Sequence, residues 1–252
     1  MKILLTHGYF LAEDEREKQI MKPYPPLGIL YISAYLEEQK IDHSVFDTTF
    51  SSESEWMTYV EEQQPDLIAF YVNLMTKVKI IQLIKKLHAS DTFSKTKIVL
   101  GGPDITYNQE NYLATGADYL IIGEGEETFA ELVASLKDNK ALGAVSGLVF
   151  KEDGVLVKNP PRIKIKDLDA LPLPNRHLFP IQKYLDTWKN AHGKSALNVS
   201  TQRGCPYTCK WCSTAVYGKS YRRRSPKKVV EELKVLMEMY QPDSFWFVDD
   251  VF

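Results

Sequence analysis

Between Met1 and about Lys140, short apolar runs alternate with longer amphipathic ones, and this alternation restricts the fold more than any other feature of the chain. The run KILLT (2–6) reads as a buried strand. PYPPLGILYISAYLEEQ (23–39) reads as a helix, because apolar residues from Leu27 to Leu36 recur at helical spacing and Pro25 and Pro26 sit where a missing N–H costs a helix nothing. HSVFD (43–47) then predicts a strand, SESEWMTYVEEQ (52–63) a helix opened by Ser52 or Ser54, and PDLIAFYV (65–72) a buried strand. The rhythm continues with a helix over 76–90, the strand KIVLGG, a short helix over 108–116, the strand ADYLIIG and the helix TFAELVASLKD. Five strands alternating with helices predict an α/β fold, a Rossmann-like doubly wound parallel sheet over 1–140. In such sheets ligands bind beyond the carboxyl ends of the strands.

Two glycine-rich turns fall at those ends, LGGPD (100–104) and GEGEET (123–128), where backbone N–H groups can approach a ligand closely. Taken alone they are also ordinary strand-to-helix turns. The first strand is followed by no GxGxxG, and the chain has no P-loop, so neither a dinucleotide site of that kind nor P-loop ATP hydrolysis is expected.

Bulk properties narrow the class of function. A net charge of −2 over 252 residues provides no global field for nucleic acid or an anionic membrane. No apolar run approaches the ~18 residues of a membrane span, and MKILLT leads directly into a strand rather than a secretory signal, which predicts a cytoplasmic protein with no membrane span. Three cysteines, an odd number, argue against a disulfide framework and leave metal binding or nucleophilic catalysis.

Residues 141–195 read as a linker. Within it GLVFKEDGVLVKNPP forms a β-hairpin turning at Asp153-Gly154. The proline-rich LDALPLPNRHLFP suits an ordered connection better than a helix, and Arg176 and His177 are expected to be a solvated pair.

All three cysteines lie in RGCPYTCKWCS, at 205, 209 and 212, just after the strand-like Ala196–Ser200. Gly204 and Pro206 flank the first, so a continuous helix with one buried thiol stripe is excluded and the cysteines belong to a loop. A structural zinc site would need four protein ligands, yet only one CxxC knuckle exists, and a remote histidine would have to complete it. A [4Fe-4S] cluster held by three thiolates fits better, its fourth iron left open for a cofactor or substrate. Beyond the loop, Ser225 is the expected N-cap and Pro226 the first-turn residue of an amphipathic helix. The basic run Tyr221–Arg224 is too narrow for a nucleic-acid patch and reads as a solvated or phosphate-facing rim. DSFWFVDDVF is a strand ending in Asp249 and Asp250.

These segments together resemble the B12-binding radical S-adenosylmethionine protein family. YPPLGILYISAYLEEQKIDHSVFD, IVLGGPD and ADYLIIGEGEETFAEL are similar to its cobalamin-binding domain, and DLDALPLPNR resembles, weakly, the bridge to its catalytic domain. The CxxxCxxC spacing, with Trp211 before the last cysteine, resembles its radical signature. The resemblance implies that the loops at Gly101, Gly102, Pro103 and Asp104 and at Gly123, Glu124, Gly125, Glu126 and Thr128 line a corrinoid. Cys205, Cys209 and Cys212 would hold the cluster, S-adenosyl-L-methionine would chelate its open iron, and Asp249 or Asp250 would contact the methionyl amine. None of His7, His43, His88, His177 and His192 lies in a DxHxxG stretch, so the implied cobalamin lacks a histidine ligand.

The implied chemistry is reductive formation of a 5′-deoxyadenosyl radical for methyl transfer or cyclisation of an unknown small-molecule or peptide substrate, with flavodoxin or ferredoxin as electron donor. Residues 196–252 would then be the N-terminal part of a radical S-adenosylmethionine (β/α) partial TIM barrel, and the chain a truncated form of it. Two other readings stand beside this one: a non-catalytic cobalamin-binding carrier or sensor, and a zinc-binding interaction module.

Overall fold

The structure, a computed structural model, describes residues 1–210, 212 and 217–250. In chain order the elements are β1 (Ile3–His7), α1 (Glu15–Ile20), α2 (Leu27–Glu38), β2 (Ser44–Phe46), α3 (Glu53–Gln63), β3 (Leu67–Tyr71), α4 (Lys77–His88) and β4 (Lys97–Gly101). Then follow α5 (Gln109–Ala114), β5 (Tyr119–Ile121), α6 (Glu126–Lys137), β6 (Leu148–Glu152), β7 (Val155–Lys158) and α7 (Ile181–His192). The last are β8 (Ala196–Val199), β9 (Gln202–Arg203), β10 (Arg222–Arg223), α8 (Pro226–Tyr240) and β11 (Ser244–Phe247). Two compact units result, Met1–Ala12 with Tyr35–Lys164, and Glu13–Ala34 with Ile165–Phe252.

The first unit is an α/β fold around one seven-stranded sheet of order β2-β1-β3-β4-β5-β6-β7. β1 to β5 are mutually parallel, as their alternation with helices requires. β6 and β7 are antiparallel, so the sheet is mainly parallel rather than wholly so. They form the hairpin expected at Asp153-Gly154, whose φ values of +49° and +80° supply the turn. That hairpin is no free-standing connector: β6 pairs with β5 and caps that sheet edge, which would otherwise present unpaired backbone groups.

Local chemistry starts the helices where the sequence indicates. Ser52 opens α3 in a capping box, its hydroxyl receiving the Glu55 N–H while the Glu55 carboxylate accepts from the Ser52 N–H. Leu4, Ile68, Phe70, Val72, Leu100 and Leu120 form the sheet's contribution to the core, against Trp56, Ile80, Leu83 and Ile84 from the helices. Trp56 is fully buried and donates its indole N–H to the Thr6 hydroxyl at 3.2 Å, so a large apolar ring is placed without an unpaired donor.

In the second unit β8 and β11 pair in parallel with α8 as the crossover, and β9 and β10 form a short antiparallel ribbon. Ser225 and Pro226 begin α8 as expected, the Ser225 hydroxyl accepting the Lys228 N–H. Two helices are not among those the sequence predicts. α1 is a single short segment started by Asp14, whose carboxylate accepts from the Arg16 and Glu17 N–H groups. α7 occupies much of the expected linker: Ile181, Tyr184 and Leu185 recur at i, i+3 and i+4 and are buried. Among the described residues no helix is long and apolar enough to cross a membrane.

Candidate cofactor sites

Parallel strands end on one side, so the segments after β1 to β5 share the carboxyl edge of the sheet. Strand order 2-1-3 makes the ends of β1 and β3 a topological switch point. After β3, the Asn73 side chain accepts from the Met75 and Thr76 N–H groups at 3.0 Å and fixes the turn into α4. This turn leaves Leu74 72% and Met75 57% exposed, and after β4 Tyr107 is 62% exposed. Large apolar side chains displayed at such an edge suit the apolar face of a flat ligand.

The glycines at this edge serve different ends. A Cβ on Gly102 would lie 2.3 Å from the Val72 carbonyl oxygen, and its φ is +114°, so this glycine lets the β4 loop close against the end of β3. By contrast, a Cβ on Gly101 or Gly123 would meet nothing within 4 Å, which is open room in front of the backbone. Pro103 is partly buried at the start of the turn that carries Asp104.

Several side chains of the two loops are already committed inside the protein. Asp104 accepts a hydrogen bond from the Tyr112 hydroxyl and an ion pair from Lys77 at 3.4 Å. Burial, reinforced by that hydrogen bond, pushes the Tyr112 phenol well above its usual range. Thr128 is fully buried; its hydroxyl donates to the Ser146 carbonyl (3.0 Å) and receives the Arg162 Nε–H (2.7 Å), tying α6 to the segment before β6. Its one hydroxyl hydrogen is therefore committed to the Ser146 carbonyl. Glu124 and Glu126 are buried as well, while Gly123 is exposed and Gly125 is the N-cap of α6. His7, at the end of β1, is held by Asp47 (Nε2 to Oδ1, 3.0 Å) and Thr48 (Nδ1 to Oγ1, 3.0 Å), and is 3% exposed.

The cysteines belong to the second unit. All three are free thiols, Cys205 partly buried and Cys209 and Cys212 exposed. The Cys212 N–H donates to the Cys209 carbonyl at 3.1 Å, a turn that brings the ends of CxxC together. Trp211 and residues 213–216 lie outside the described residues. Among the described residues no three of the His, Cys, Asp and Glu side chains are gathered in a metal-holding group. The donor set nevertheless fits a cluster: three thiols in one glycine-flanked loop, none spent on a disulfide.

The neck of the loop is well defined. β9 pairs Gln202 and Arg203 with Arg223 and Arg222, and Cys205 bridges to Lys219. The Arg203 guanidinium stacks between the rings of Tyr31 and Tyr217, at 5.0 and 5.1 Å. Gly204 has φ +87°, and a Cβ there would sit 2.1 Å from the Ser220 hydroxyl and 2.7 Å from its carbonyl oxygen, so the two sides of the neck touch only because this residue is glycine.

Below the neck lies a buried ionic group. Glu232 of α8, 2% exposed, accepts from Arg224 and pairs with Arg176 at 3.5 Å. Arg176 is 4% exposed and donates to the Asn198 carbonyl on β8 at 2.6 Å. This corrects the expectation that Arg176 is a solvated linker residue; His177 beside it is exposed. A proline-rich segment says nothing of what lies beneath it, and the Glu232 carboxylate two turns into an amphipathic helix was the one available signal.

Asp249 and Asp250 follow β11. Asp249 accepts from the Thr201 N–H (2.8 Å) and hydroxyl (2.6 Å), the Gln202 N–H (3.2 Å) and the Ser200 hydroxyl (3.1 Å). Asp250 accepts from the Gly204 N–H; desolvation of its carboxyl, exposed though the residue is, and then the charge of Asp249 raise it above the usual range against that hydrogen bond.

Residues 19–133 match the B12 binding domain family. An uncharacterized methyltransferase of Pyrococcus horikoshii is 32% identical over 259 residues, covering all of this chain and 54% of that protein. An anaerobic magnesium-protoporphyrin IX monomethyl ester cyclase of Synechocystis is 29% identical, over 90% of this chain and 45% of the cyclase. The chain thus spans about half the length of these curated relatives. Among solved structures, the cobalamin-dependent S-adenosylmethionine radical enzyme OxsB, with aqua-cobalamin and S-adenosylmethionine bound, superposes with a TM-score of 0.80 at 19% identity, over 99% of this chain and 34% of OxsB. The chain therefore carries a B12-binding domain over the matched residues, its fold is that of the corresponding part of OxsB, and its curated relatives include a methyltransferase and a cyclase.

Proposed function

We propose that this chain belongs to a radical S-adenosylmethionine enzyme that uses a [4Fe-4S] cluster and cobalamin for methyl transfer or radical cyclisation. The observation that carries the reading is the cysteine loop: three free thiols, none spent on a disulfide, at the carboxyl end of a parallel strand whose neighbour β11 reaches back to hold the loop's entry. Cys205, Cys209 and Cys212 would ligate the cluster, leaving one iron for S-adenosylmethionine. When bound, the cluster supplies the single electron that cleaves the sulfonium. Gly101 and Gly123 leave open room for a corrinoid, and Leu74, Met75 and Tyr107 offer it an apolar surface. On this reading residues 1–140 form the cobalamin-binding domain, residues 196–252 begin the radical domain, and flavodoxin or ferredoxin delivers the electron. The protein would work in the cytoplasm.

Iron, sulfide, zinc and cobalt per chain after anaerobic reconstitution with iron, sulfide and hydroxocobalamin test it. About four irons with bound corrinoid are expected. Zinc in place of iron would overturn the cluster, and corrinoid without iron would favour the second reading, a cobalamin carrier or sensor. Release of 5′-deoxyadenosine under reductant separates the enzyme from the carrier, because only the enzyme makes it.

A further inference from the structure

The turn Ser200–Gln202, between β8 and the first cysteine, is held from both sides. Its donors converge on one carboxylate: the Thr201 and Gln202 N–H groups and the Thr201 hydroxyl all reach Asp249. Its acceptors converge on one arginine: the Ser200 carbonyl receives the Arg224 guanidinium at 3.1 Å, and the Thr201 carbonyl receives the Arg224 N–H at 2.9 Å. Arg224 is held in turn by buried Glu232. A turn with two N–H groups bound to one carboxylate and two carbonyls bound to one arginine has few conformations left to it.

We propose that Asp249 is a positioning residue of the cysteine loop, clamping its entry strand to the end of β11 so that Cys205 leaves the neck in one direction. The importance of that direction for a cluster rests on the function proposed above; the clamp itself does not. This differs from a role in contacting the methionyl amine. The Thr201 and Gln202 N–H groups and the Ser200 hydroxyl reach Oδ1 and the Thr201 hydroxyl reaches Oδ2, so the carboxylate is engaged by the turn itself. The register of the clamp follows from the ladder, since the Val248 N–H donates to the Val199 carbonyl and brings Asp249 level with Thr201.

The test compares the whole chain with its Asp249→Ala, Thr201→Val and Thr201→Ser variants. Amide hydrogen exchange and Cys205 alkylation are followed in the cluster-free protein, then chelator-driven iron loss and the electron paramagnetic resonance signal of the reduced cluster after reconstitution. In Asp249→Ala the Thr201 and Gln202 amides should exchange about tenfold faster or more, and Cys205 should alkylate faster. Exchange in β1 to β5 should not change. Thr201→Val, which removes one bond and no charge, should shift the same amides less, and Thr201→Ser should behave as wild type. After reconstitution Asp249→Ala should lose iron faster and show an altered resonance signal.

Unchanged exchange and alkylation in both Asp249→Ala and Thr201→Val would overturn the clamp, the more so if Asp249→Ala only weakened S-adenosylmethionine binding, as an amine ligand would. Faster exchange with iron loss and resonance signal identical to wild type would overturn the positioning role. Wild-type protein that takes up no iron, with exchange and alkylation responding as stated, would uphold the clamp and sink the cluster reading instead.

Discussion

Glu232 concentrates more electrostatic consequence than any cysteine. Two guanidiniums, those of Arg176 and Arg224, share its carboxylate out of contact with water. Removing the shared partner leaves both charges uncompensated, so Glu232→Gln should cost about 3–5 kcal/mol, measured as a lower denaturant midpoint. Gly102 is the equivalent position in backbone terms. Ala there meets both a left-handed φ and the Val72 carbonyl, and Gly102→Ala should destabilise the first unit by ~2 kcal/mol or more in urea unfolding. Cys209→Ala, at an exposed position, should leave the denaturant midpoint in place while iron per chain falls by about one half or more.

Helix α3 shows how an element is fixed at its start. Its capping box satisfies two backbone donors, and Ser52→Ala should lower stability by ~1 kcal/mol by chemical denaturation. The first helical residue, Glu53, pairs with Lys79 and Lys86, so these hydrogen bonds hold its carboxyl below the ordinary glutamate range. A group depressed in the folded state stabilises above its unfolded pKa and loses that contribution as pH falls through the folded value. Urea midpoints taken from about pH 6 down to about pH 3 should therefore fall less steeply in Glu53→Gln than in wild type, and equal slopes would refute the coupling. The same logic of ends governs α7, where buried Ile181, Tyr184 and Leu185 form a stripe following Pro180. The prolines before it mark a connection, while the stripe behind them marks a helix.

At the scale of the whole molecule, the two proposed sites fall on two separate strand systems, one on the seven-stranded sheet and one on β8 and β11. Replacing Cys205, Cys209 and Cys212 together by Ala should thus abolish iron binding while the affinity for hydroxocobalamin, titrated by its visible spectrum, stays within about twofold.

The alternation of apolar strands and amphipathic helices determined the parallel part of the first sheet by itself, because side-chain periodicity and βαβ handedness leave few other arrangements. The proline and the glycine beside Cys205 excluded a helix in the same way, so the cysteines fall in a loop after β8. What tertiary structure decided is where long-range pairing intervenes. The hairpin of β6 and β7 joins the sheet because β5 offers an open edge, which no local pattern records. Arg176 is buried because Glu232, 56 residues on, waits for it. Thr128 and Asp104 sit in loops that read as ligand-facing, and residues outside those loops also bond their oxygens, Arg162 for one and Tyr112 and Lys77 for the other. Asp249 reaches back 48 residues to Thr201. Local spacing encodes which way a side chain faces along its own element; which donor will meet it depends on the register between elements, and that is settled only when the chain packs.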